Sequence, residues 1–149
     1  EEVPLEMPEV SFPTEALWLH PPAAVPAFQI PGGIHALEHA MIGLLPLFVL
    51  AERQDVGGIS YPFYPRPLPS PGEPTVFIYD GYPGGVGYAR RAARRFPEWL
   101  KATLDLLRSC PCEEGCPRCV LSPKCGNGNQ YLDKKAALAL ALALAHPLD

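Results

Sequence analysis

Two hydrophobic periods, one of a strand and one of a helix, take turns along the 149-residue chain. "EALWLH" (15–20) is a short aromatic and aliphatic run bounded by prolines, and it predicts a strand. "GIHALEHAMIGLLPLFVLAER" (33–53) is apolar almost all round, which predicts a buried central helix, kinked or divided at Pro46. "QDVGGIS" (54–60) reads as a turn leading into a strand at "ISYPFY", and "YPRPLPSPGEP" (64–74) as a loop. "TVFIYD" (75–80), β-branched and aromatic in a row, predicts a strand that "GYPGGVGY" (81–88) breaks. Beyond it Val86, Ala89, Ala93, Phe96, Leu100, Leu104 and Leu107 recur at spacings of three and four, the pattern of an amphipathic helix, with Pro97 dividing it. "NQYLDKKAALALALALAHP" (129–147) holds a terminal helix: its Ala-Leu alternation mimics a strand, but length and alanine content favour helix, and Asp133 suits the N-terminal end. The expected fold is α+β: a small mixed sheet around "TVFIYD" and "ALWL" packed against three to four helices, at 33–53, 86–108 and 131–145. Residues 1–32 are read as a Pro-rich N-terminal arm with a strand, forming one globular unit with residues 33–149.

Composition changes this picture little. Hydrophobic content of 48% and charged content of 19% are those of a globular chain able to bury a core. The 20 prolines sit mostly before residue 84, which puts long irregular connections in the first half. No apolar run is long enough to span a membrane; the best, "MIGLLPLFVLA" (41–51), is short and contains Pro46. The start "EEVPLEMPEV" shows no signal peptide, so a cytoplasmic location and no membrane partner are expected. The net charge of −4 is uneven: residues 1–75 carry two basic and nine acidic side chains, residues 76–149 ten basic and seven acidic. A polyanionic partner would therefore meet the second half.

All five cysteines, Cys110, Cys112, Cys116, Cys119 and Cys125, fall in "SCPCEEGCPRCVLSPKCGNGN" (109–129). A disulfide staple would leave one thiol over. A reduced, metal-free loop sits badly with the preference of free cysteines for burial. Zinc takes about four thiolates in a closed tetrahedral site, and "CPRC" (Cys116, Cys119) has the spacing that turns two sulfurs toward one ion. An iron–sulfur cluster also uses four cysteines and stays as an alternative.

Three further patterns carry candidate chemistry. "HALEH" (35–39) matches H-x-x-E-H: His35 and His39 share a helix face, Glu38 could act as a base, and Asp80 or Asp55 could add a ligand for a zinc hydrolase. The plainer interpretation, preferred here, is two hydrogen-bonded histidines of an apolar helix. "VFIYDGYPGGVGYARR" runs strand, Gly-rich turn, helix, as phosphate-cradling loops do, but lacks either nucleotide-binding glycine signature. As a nucleotide site it is read as a tight turn, with contact to a nucleic-acid phosphate left open, and Asp80 as a turn former or cap. Arg90, Arg91, Arg94 and Arg95 form a basic stripe, either solvated or in contact with phosphates; the basic residues around the cysteine loop favour the second.

"GGIHALEHAMIGLLPLFVLAERQDVGGIS", "PTVFIYDGYPGGVGYA" and "CPCEEGCPRCVLSPKCGNGNQYLDKKAA" together resemble the C-terminal zinc-binding domain of superfamily 2 DEAD/DEAH-box helicases of the mitomycin-repair type and their RecQ-like eukaryotic relatives. The resemblance covers about residues 15–145, with three motifs in the same order. It implies a structural Zn2+ held by cysteines of the last motif and a domain that follows two motor lobes and helps engage DNA during ATP-driven 3′-to-5′ translocation in repair; the DNA partner is expected to be single-stranded. Carried over, the ligands are Cys112, Cys116, Cys119 and Cys125, with Cys110 as the substitute; a C-x-C pair would strain Pro111, and Gly126 frees the turn that aims Cys125. With no Walker A and no DEAH box, these residues hold no motor, so helicase motor domains are expected as partners in cis or in trans. The functional expectation is a non-catalytic zinc module of a DNA-repair helicase; the alternatives are a zinc-dependent hydrolase built on His35, Glu38 and His39, and a protein-interaction module.

Overall fold

The β-branched run at Thr75–Asp80 becomes β3, the central strand of a three-stranded sheet. β1 (Ala16–Leu19) and β2 (Val56–Tyr61) flank it in the order β1-β3-β2. The computed structural model describes residues 13–22, 24–63, 73–113, 115–116, 119–120 and 132–146. Both pairings are antiparallel, from Ala16 opposite Tyr79 to Leu19 opposite Val76, and from Val56 opposite Asp80 to Tyr61 opposite Thr75. The sheet is thus wholly antiparallel, not mixed as expected: β3 pairs antiparallel with both of its neighbours.

Two glycines explain why β2 begins earlier than the sequence suggests. "VGG" reads as a turn, yet Gly57 and Gly58 are strand residues. A Cβ on Gly57 would lie 2.6 Å from the Tyr79 ring, and one on Gly58 2.6 Å from Ile42 Cδ1. Here glycine serves close approach within and onto the sheet, not turning. β2 ends at Tyr61, just before Pro62, which has no N–H to continue a ladder.

Helix α1 (Ile30–Leu44) is the centre of the molecule, with Ile34, Leu37, Met41 and Ile42 all buried. It packs on β2 and β3 on one side and on α3 and α4 on the other. The expected helix over 33–53 is corrected at its second half. α1 stops at Leu44 and passes into a 3-10 turn at Leu45–Leu47, because Pro46 cannot donate the next helical bond. Helices α2 (Tyr88–Arg94) and α3 (Phe96–Ser109) are divided at Arg95, where Pro97 takes the first turn of α3. Trp99, fully buried on α3, donates from Nε1 to the Met41 carbonyl at 2.8 Å and so locks α3 to α1. Helix α4 (Lys134–Ala145) begins at Asp133, whose side chain accepts from Ala136 N at 2.9 Å. Gly33 lets α1 and α4 touch, since a Cβ there would stand 2.9 Å from Ala136 Cβ. Among the described residues no helix is long and apolar enough to cross a membrane.

Candidate metal centre

The centre starts where α3 stops. The residue before a proline is pushed out of the helical region, and Cys110, ahead of Pro111, is extended at φ −68° and ψ 124°. That bend swings the chain across the end of α3 and brings the sulfurs of Cys110 and Cys112 to 3.5 Å. Gly115, at φ 120°, takes a left-handed conformation that residues with a Cβ rarely adopt. After it Cys116 and Cys119 form a knuckle: Cys119 N donates to Cys116 O at 3.0 Å, with the two sulfurs 3.9 Å apart. Cys110–Cys116 and Cys112–Cys119 each approach to 3.4 Å. All four sulfurs lie within 4.8 Å of one another, and among the described residues no other group of three or more His, Cys, Asp or Glu could hold one ion.

These spacings fit zinc. Four sulfurs about 2.3 Å from one tetrahedral Zn2+ stand about 3.8 Å from each other, close to the distances found. Four thiolates also fill the coordination shell and leave no position for a reactive water. Cys110 and Cys119 are buried, and Cys112 and Cys116 partly so.

Two side chains from distant helices hold this loop. Lys134, buried in the first turn of α4, places Nζ 2.9 Å from Cys110 O, 2.6 Å from Cys112 O and 3.1 Å from Cys112 Sγ. Its ammonium draws the Cys112 thiol down from its ordinary range, whereas burial pushes the Cys119 thiol up. Burial works against the charge on Lys134, but the hydrogen bond to Cys112 and the attraction of the neighbouring sulfurs outweigh it and hold its pKa above the usual lysine value. His39 of α1 lies with Nδ1 2.6 Å from Val120 O, next to Cys119. Burial lowers the His39 pKa, and because a carbonyl only accepts, Nδ1 is the donor of this bond. The sequence reading expected a hydrogen-bonded His39 but not its partner, and it passed over Lys134. A lysine in the first turn is out of place against the helix dipole, and that mismatch was the available signal for an anion nearby.

The other sequence candidates are placed as follows. Cys125 lies outside the described residues. His35 and His39 meet edge to face with ring centres 4.4 Å apart. Glu38 is 6% exposed, turned toward Gly58 and Ile42, and burial raises its carboxyl to about 7 while Arg53 pulls it back. Asp80 is not brought to these three as a ligand. It is fully buried at the end of β3 and receives Val86 N at 2.7 Å, Gly87 N at 2.8 Å and Ala89 N at 2.7 Å. The Gly-rich turn, with Gly84, Gly85 and Gly87 at φ 79°, 79° and 96°, is an anion cradle whose anion is this carboxylate. That removes the phosphate contact from these amides. Asp55 is taken up by Glu52 N and Tyr82. Of the arginines, Arg90 pairs with Glu15, Arg91 lies 5.3 Å over the Tyr88 ring, and Arg95 lies over Phe48 and 3.4 Å from Glu98. Arg94 is exposed and has no partner among the described residues.

Comparison with known proteins agrees with this geometry. Residues 37–120 match the family model of the MrfA Zn-binding domain. The protein MJ1572.1 of Methanocaldococcus jannaschii is 37% identical over 107 residues, covering 72% of this chain and 95% of the archaeal one. The ATP-dependent helicase YprA of Bacillus subtilis is 32% identical over 124 residues, covering 78% of this chain but 16% of the helicase. A crystal structure of the DUF1998 helicase MrfA bound to DNA superposes with a TM-score of 0.71 at 27% identity, covering 95% of this chain and 18% of that one. The α+β architecture, the cysteine quartet and these matches point the same way: the chain belongs to the MrfA zinc-binding domain family, and its cofactor is Zn2+.

Proposed function

We propose that this domain is a structural, non-catalytic zinc module that helps a helicase motor engage DNA. The observation that carries it is the quartet of Cys110, Cys112, Cys116 and Cys119, which we assign as the four ligands. A closed tetrathiolate site can organise a loop but has no open position from which to activate water. Among the described residues no third His, Cys, Asp or Glu joins His35 and His39 in a group that could hold a second metal. The DNA link is supported by the likeness to MrfA bound to DNA. The motor is supplied by the same polypeptide or by a separate one, and ATP hydrolysis belongs to it. On this domain the exposed arginines of α2 and its C-cap, Arg94 and Arg91 first and Arg90 and Arg95 after release from their partners, are the phosphate-facing candidates, with single-stranded DNA as the ligand.

Two measurements on the purified chain test this. Metal analysis should find one zinc per chain, kept by Cys125→Ser and lost by Cys110→Ser; the reverse pattern would replace Cys110 with Cys125 in the site. Anisotropy of a labelled single-stranded oligonucleotide should show salt-dependent binding. Its slope should fall by about 0.7 for each phosphate contact removed when Arg91 and Arg94 are changed to Glu. An unchanged slope would return α2 to a solvated face.

A further inference from the structure

Lys134 is the one buried lysine among the described residues, and all of its hydrogen-bonding capacity is spent on the metal loop. An ammonium has three N–H donors, and the structure offers three acceptors: Cys110 O, Cys112 O and Cys112 Sγ. Two of these are backbone carbonyls on either side of Pro111, and the third is a sulfur of the quartet. The contact spans 22 to 24 residues of sequence, from the exit of α3 to the entry of α4. Its stem passes through a buried position, so the charge is kept indoors although Lys135, one residue on, is exposed. Burying a charge is costly unless it is paired. Four thiolates around a divalent ion carry two net negative charges, which is the pairing this ammonium finds.

We propose that Lys134 is a positioning residue of the zinc centre: it supplies counter-charge to the tetrathiolate, donates an N–H to Cys112 Sγ, and clamps the Cys110–Cys112 arm in its metal-binding shape. This rests on the zinc reading of the quartet. The ammonium has two separable effects. As a clamp it holds two carbonyls, which a neutral hydrogen-bond donor of similar length replaces in part. As a charge it lowers the electron density on Cys112 Sγ, which only a cation does. Groups around metal ligands that act in this way change metal affinity by about 10- to 100-fold when removed.

The test compares Lys134→Gln and Lys134→Met with the wild-type chain, with Lys135→Met as the control on the same helix turn. Zinc affinity is read by competition with a chromophoric chelator, and the sulfur-to-metal charge-transfer band is read after Co2+ substitution. Both Lys134 variants should bind zinc at least 10-fold more weakly, with a red-shifted Co2+ band, because the Cys112 lone pairs are no longer stabilised by the N–H. Lys135→Met should match the wild type. Affinities within about twofold of the wild type together with an unmoved band would overturn the proposal. Should the variants fail to fold, the wild-type chain labelled with 15N-lysine answers instead. A protected ammonium resonance that shifts between the Zn2+ and Cd2+ forms supports the contact, and one indifferent to the metal overturns it. A wild-type chain that binds no zinc would refute the zinc reading itself, whereas a zinc-loaded wild type with unaffected variants refutes only the role of Lys134.

Discussion

Replacing Glu38 by Gln should stabilise the protein above neutral pH and leave it nearly unchanged in acid. Glu38 is 6% exposed on the central helix, against β2 where Gly58 leaves just enough room for it. Burial raises its carboxyl from 4.5 to about 7, with Arg53 offsetting part of the effect. At roughly 1.4 kcal/mol for each pKa unit, that difference puts a penalty of about 3 kcal/mol on the folded state once the carboxyl is ionised. Because the folded-state value lies above the unfolded one, the wild type is free of the penalty below pH 4.5 and takes on all of it as pH rises through 7. Gln has nearly the same shape and does not titrate. The gain from Glu38→Gln should therefore be about 3 kcal/mol at pH 8, under half of that at pH 5.5, and close to nothing at pH 4.5. Urea unfolding followed by tryptophan fluorescence, with saturating zinc for both chains, reads it, and metal effects cancel in the difference. A gain independent of pH would show that the carboxyl does not titrate as burial dictates. A loss at pH 8 would show that attraction to Arg53 outweighs desolvation.

Two substitutions probe how the scaffold presents the centre. Asp80→Asn turns an amide N–H2 toward backbone N–H groups that now donate to a carboxylate. It should cost about 3 kcal/mol in a denaturant titration, and an unchanged midpoint would mean that the turn does not depend on this anion. Gly33→Ala should lower the thermal midpoint although alanine favours a helix by about 1 kcal/mol, since its methyl would meet Ala136 and Leu140 at 2.9 Å. Overpacking of this kind costs about 1–3 kcal/mol, and a raised midpoint would mean that α4 can move away.

Local features were legible and tertiary ones were not. β3 runs over the residues its β-branched pattern marks, and α4 begins at the cap that Asp133 announces. Gly57 and Gly58 misled because one residue type serves two needs, turning and close approach, and only the ring of Tyr79 and the side chain of Ile42 tell which. The division at Pro46 was legible, but the second half misled because apolar periodicity continues through Leu47, Phe48 and Val49, while the missing N–H decides the backbone. The sequence marks the two histidines as hydrogen-bonded residues of an apolar helix but names no partner. The fate of His39 is set by Val120, 81 residues away, which no local motif contains.

The cysteines show the same division between local and distant causes. The spacing pointed to a zinc knuckle, and Cys116 with Cys119 has that shape, the two sulfurs 3.9 Å apart. The choice of the remaining ligands turned on Pro111, taken from the sequence as an obstacle to a C-x-C pair. The opposite consequence follows from the backbone. A proline forces the residue before it to be extended, so Cys110 must leave α3, and leaving is what turns its sulfur toward Cys112. The arm then stays bent because Lys134 holds the carbonyls of Cys110 and Cys112. Cys110, Cys119 and Val120 belong to the same buried cluster as Met41 of α1 and Leu140 of α4. The metal loop is therefore not an appendage on a finished domain. Its cysteine quartet lies at the core, where His39 bonds Val120 and Lys134 bonds Cys110 and Cys112, so that the quartet, α1 and α4 hold one another in place.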